Sequence, residues 1–155
     1  MSKSLSHYEL YNAIAESIYQ THGLDWYSVG SYQRIHIQHR TFLLMKFDMF
    51  LDSYRTSNNS KADHLHGKNA AIVLCCEKLK ISPSVAREFS LDDLITTLHT
   101  EINSFPVPAE VLKEIINPYP SDLADMEMSK FSLGPFMDKE WDPELRYKLT
   151  SRAMY

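Results

Sequence analysis

Glycine is scarce here, with four residues in a chain of 155. A loop that cradles phosphate needs backbone that can approach closely and adopt positive φ, so a phosphate-binding loop and a dinucleotide fingerprint are both excluded. No Gly-x-Ser-x-Gly elbow occurs, which removes one common setting for an activated serine. Cysteine is scarcer still. Cys75 and Cys76 are neighbours inside an apolar run, and adjacent residues pair badly because disulfide geometry is specific. They are expected to be free, buried thiols in a reducing cytoplasm. Long apolar runs are also missing. Lys46, Asp48 and Asp52 interrupt the most apolar window, whereas a membrane span needs ~20 predominantly apolar residues. The first residues, Met-Ser-Lys-Ser-Leu-Ser-His, lack the apolar stretch of a signal peptide. Nor is positive charge in excess: a net charge of −4 disfavours nucleic acid as a general partner, since phosphate binding relies on a positive surface.

What the chain does have is apolar helix. The window from Arg40 to Arg55 is the densest, and at helical spacing Phe42, Leu43, Leu44, Phe47, Phe50 and Leu51 cover most of its circumference. Arg34, Gln38, Thr41, Asp48, Asp52 and Arg55 fall on one narrow stripe. A helix so apolar must be buried on several sides, by other helices or by a second copy of itself. Its beginning reads two ways. The expectation is a helix from Ser31; the alternative is a short strand within 29–38, with Ile35 and Ile37 alternating with Arg34, His36 and Gln38.

Before that helix, Ser6 and Glu9 have capping-box spacing, and an apolar face runs from Tyr8 to Tyr19 before Gly23, a natural stop. The connector 24–30 holds Trp26 and Tyr27, whose rings are expected to cover one end of the core. After it, 56–60 is a polar loop, and a helical pattern resumes over 62–80 until Ile81-Ser-Pro83. Ser84 to Phe89 reads as one turn. Ser90 then caps a helix over 91–102, with Leu91, Leu94, Ile95, Leu98 and Ile102 on one face. Pro108 opens another through Ile116, stopped by Asn117-Pro-Tyr-Pro120. From Ser121 the pattern loosens, with a last helix expected over 143–153. The reading is an all-α, single-domain helical bundle of five to seven helices, comprising a main bundle (1–120) and an irregular C-terminal arm (121–155).

Three constellations could carry chemistry. Arg34 and His39 stand in an Arg-x4-His spacing. This resembles the Arg-x4–6-His motif of the HEPN superfamily, whose helical-bundle members include RNases that use the pair in a dimeric cleft. The resemblance implies His39 as acid or base and Arg34 as the group that neutralises developing phosphate charge. Read from the residues alone, both belong to the boundary of a long helix. His36 with His39, and His64 with His66 beside Asp63, could ligate zinc, but no thiol or carboxylate stands at a familiar spacing, so no metal is expected. Residues 69–89 have the outline of a helix-turn-helix, yet Arg87 is the lone cation where a recognition helix needs several.

By elimination the sequence points to a non-enzymatic interaction or regulatory protein of the cytoplasm, with no catalytic set, cofactor or metal. Partners are expected to be a second copy, giving a homodimer, and a further protein. Nucleic acid and membrane are disfavoured. The alternative is a HEPN-like RNase, or an inactive relative, using Arg34 and His39.

Overall fold

The computed structural model describes residues 4–58, 63–115 and 132–151. Among them every regular element is helical, with eight α-helices and one 3-10 turn, so the fold is all-α as the periodicity implies. The count exceeds seven for local reasons. The helix read over 91–102 is interrupted at Leu98, and the turn after Pro83 is regular enough to form a helix of four residues.

The first helix, α1 (His7–Thr21), begins where Ser6 Oγ accepts the Glu9 N–H at 3.3 Å. It ends in a Schellman motif: the Leu24 N–H reaches the Tyr19 carbonyl (2.8 Å) and the Gly23 N–H reaches that of Gln20 (3.2 Å). Gly23 supplies the left-handed residue, at φ +64°, and a Cβ there would meet nothing within 4 Å. Conformation, not space, calls for glycine.

One long helix follows, α2 (Ser31–Ser57), so the strand alternative for 29–38 falls away. Its polar stripe does not mark a solvent face. Thr41 and Asp48 are buried, and Thr41 Oγ1 donates to the Ile37 carbonyl at 2.6 Å. Backbone contacts divide the chain into two compact units, residues 1–45 with 107–155 and residues 46–106, and α2 contributes to each.

In the first unit α1 packs on α7 (Ala109–Ile115), on the 3-10 turn Asp138–Glu140 and on α8 (Leu145–Ser151). Leu10, Ile14 and Ile18 form its buried face, and Trp141 and Leu149 are also buried. The expected arm, where described, therefore packs on the first helix. Its residues 121–131, with Leu123, Met126 and Met128, lie outside the described residues, as do 59–60 of the polar loop, the two residues after it and the end of the helix read to Ile116.

The second unit holds α3 (Asn69–Leu79), α4 (Pro83–Ala86), α5 (Leu91–Thr97) and α6 (His99–Ser104). α3 begins at Asn69 rather than near Ala62 because Asp63 and Gly67 take positive φ, 60° and 58°, which a right-handed helix cannot contain. Ser90 and Asp93 make a complete capping box at the head of α5. All five apolar residues of the 91–102 face are buried. At four residues, α4 is too short to serve as a recognition helix.

Candidate functional site

Arg34 and His39 are both on α2, but five residues of α-helix turn the chain by about 140° and advance it ~7.5 Å, so the two side chains leave on different sides. Arg34 is already engaged. Its Nη2 donates to the Trp26 carbonyl at 3.0 Å, and its guanidinium carbon lies 4.9 Å from the centre of the Trp26 ring. His39 is exposed. Between them His36 is half-buried, and burial, then the charges of Arg40 and His39, hold its pKa below the usual 6.5.

A second cluster was hidden from sequence reasoning. Arg40 emerges from α2 into the interior of the first unit, 8% exposed. Its Nε and Nη2 bind the two oxygens of Glu140, the latter at 2.8 Å, while Nη1 and Nη2 donate to the carbonyls of Gly134 and Pro135 at 3.0 Å. The Phe136 ring covers the guanidinium, 4.1 Å from its centre. Glu140, with no exposed surface, also accepts the Met137 N–H at 2.6 Å. His22 Nε2 stands 3.2 Å from Glu140 Oε1, at ion-pair distance though not aligned as a hydrogen bond. Burial pushes the Glu140 carboxyl up, but the Arg40 hydrogen bonds, the Met137 N–H, the Arg40 charge and His22 together outweigh it and hold it below its ordinary value. A carboxylate so surrounded has little capacity left to take a proton from a substrate. Its chemistry is architectural. Because 100 residues separate the partners, nothing in local spacing could have joined them.

A trough of about 290 Å³ opens in the same unit, lined by Tyr8, Tyr11 and Tyr19 of α1, Trp26, Gln38 of α2 and Glu114 of α7, with Asn12 among them. Tyr19 meets Trp26 edge to face at 5.5 Å. Tyr8 is 56% exposed and Trp26 47%. Tyr27, read from the sequence as a cover for the core, is 89% exposed. The reason is the Asp25 turn: the Asp25 carboxylate accepts the Tyr27 N–H at 3.1 Å and fixes a tight bend with Tyr27 in its middle.

The second unit offers an open hollow with His64, Asn69, Cys76, Glu77 and Arg87 on its walls. Cys75, one position before, points elsewhere, since successive helical residues are turned by ~100°. It is buried, and burial raises its thiol pKa to about 11, which makes it inert. Cys76 is half-buried, so the expectation of two buried thiols holds for the first alone. Among the described residues no three His, Cys, Asp or Glu side chains are grouped to hold a metal, and no helix is long and apolar enough to cross a membrane. No family model, no curated protein and no solved structure matches the chain.

Proposed function

We propose that this chain is a non-enzymatic interaction protein of the cytoplasm, a homodimer, whose working surface is the aromatic face of the first unit. The observation that carries the reading is the exposure of Tyr8, Trp26 and Tyr27, three large aromatic residues on or beside one trough. Aromatic side chains are enriched at interfaces, where burying them contributes most of the binding energy. The large residues of the central helix argue differently. Leu44, Met45, Phe47, Met49 and Leu51 are buried within the single chain and Phe42, Leu43 and Phe50 are half-buried, so among the described residues the exposed aromatic rings are those of α1 and the connector that follows it. Nothing in the arrangement of Arg34 and His39 favours the RNase reading, because the arginine is already held by Trp26.

Light scattering after size exclusion at micromolar concentration tests this. A dimer in both low and molar salt is expected, because apolar association survives screening that weakens exposed ion pairs over ~8 Å. Replacing Tyr8 and Tyr27 by serine together should shift the wild-type dimer toward monomer. A wild-type monomer in both buffers would contradict the reading.

A further inference from the structure

We propose that the Glu114 end of the trough is a binding site for an arginine side chain presented by a partner protein. This rests on the interaction reading and names the chemistry the partner brings.

Size comes first. At about 290 Å³ the trough falls at the lower edge of the ~300–1,000 Å³ typical of sites for drug-sized ligands, so it suits one inserted side chain better than a cofactor. Charge comes second. Glu114 lines it and Glu16 lines the shallower hollow that adjoins it, while no Lys, Arg or His is among the described residues on the walls of either. The chemistry of the walls comes third. Tyr8 and Tyr11, one turn apart on α1, line it with aromatic side chains, beside the carboxamides of Asn12 and Gln38 and the carboxylate of Glu114. Existing contacts leave that carboxylate with acceptor capacity, because His7 Nδ1 stands 3.8 Å away and the Tyr8 N–H 3.4 Å.

A guanidinium matches this set better than an ammonium does. It is planar, stacks on aromatic faces, and presents N–H donors in a fixed fork to a carboxylate and to neighbouring oxygens. The protein already uses the same recognition internally: Arg34 lies over the Trp26 ring and donates to the Trp26 carbonyl. That charge sits at the Trp26 end and repels a second cation there. The incoming arginine is thereby directed to Tyr8, Tyr11 and Glu114.

The test is a titration of 15N-labelled protein with the capped tripeptide acetyl-Gly-Arg-Gly-amide, beside its lysine and citrulline counterparts. Citrulline keeps the shape and removes the charge. Saturable shifts are expected at the side-chain amides of Asn12 and Gln38 and at the backbone amide of Tyr8, with the citrulline peptide about tenfold weaker. Glu114→Gln, at an exposed position, should weaken arginine binding by a similar factor, and Tyr11→Leu provides a second variant whose folding the same spectra report. Equal binding of the citrulline or lysine peptide, shifts confined to residues away from the trough, or no saturable shift at all would overturn the proposal. Light scattering on the same samples keeps the two ideas apart. A dimer that persists without arginine binding overturns this site and leaves the interaction reading standing, whereas a monomer removes the reading on which the site rests.

Discussion

The two units of this chain hold themselves together in different ways, although one helix supplies residues to both. In the first, a buried arginine and a buried carboxylate close on each other, and the Gly134 to Glu140 segment is fastened by them. In the second, the interior is apolar apart from the buried Asp48, and cations donate to backbone carbonyls. Arg55 Nε reaches the Leu65 carbonyl at 2.7 Å and Nη2 that of Gly67, Lys68 reaches Phe89 at 3.0 Å, and Lys78 reaches Thr97, the last residue of α5, at 2.7 Å. Thr97 lies at the C-terminal end of α5, where a cation satisfies an orphan acceptor and suits the helix dipole, whereas the other three carbonyls lie between helices. The lesson is that arginine on a helix face carries no functional meaning by itself: its partners decide it.

The largest effects should separate the units by mechanism. Phe47→Ala, in the interior of the second, should cost ~3–5 kcal/mol, as should Arg40→Met in the first, which leaves the buried Glu140 carboxylate without its arginine. Chemical denaturation measures both. Replacing Arg40 and Glu140 together by methionine should cost less than the single change, since the uncompensated charge is then gone. A double variant no more stable than Arg40→Met would mean that the pair contributes more than mutual compensation.

Acid sharpens the contrast. Glu140 has a depressed pKa, so the stability it contributes is fully present above its ordinary value of 4.5 and is lost as pH falls through the lower, folded value. Thermal melts from pH 7 to pH 3 should show that Glu140→Gln flattens this decline. Phe47→Ala should lower the whole curve and leave its acid limb in place. If both variants keep the same acid limb, the carboxylate is not what the protein loses in acid.

Smaller effects belong to the second unit. Arg55→Ala removes charged hydrogen bonds to the Leu65 and Gly67 carbonyls and should cost ~1–3 kcal/mol. Lys80 caps α3 in the left-handed region at φ 58°, where a side chain is strained. Lys80→Gly should therefore stabilise by up to ~1 kcal/mol in the same denaturation experiment; a loss would show that the lysine side chain itself contributes.

Local devices were legible in the sequence because their cause is local. Ser6 and Gly23 bound α1, Ser90 heads α5, and the 91–102 face is buried as its spacing implies. Long-range pairings were not legible, since no spacing rule joins Arg40 to Glu140 or sets Arg34 on Trp26. Which large side chains reach the surface was not legible either. The central helix reads as buried by other helices or by a second copy of itself; Leu44, Phe47 and Leu51 are buried within the chain, Phe42, Leu43 and Phe50 are half-buried, and the exposed rings among the described residues are Tyr8, Trp26 and Tyr27. Starting points fared worse than faces: the helix read from Ala62 begins at Asn69 because two positive-φ residues precede it.

The proposed function leaves the arginines of α2 with a structural role and gives the working surface to the exposed aromatic residues. Purified protein incubated with total RNA tests it most directly, alongside His39→Ala and Arg34→Ala. Intact RNA is expected with all three proteins. Cleavage by the wild type that disappears in both variants would contradict it and make Arg34 and His39 a catalytic pair.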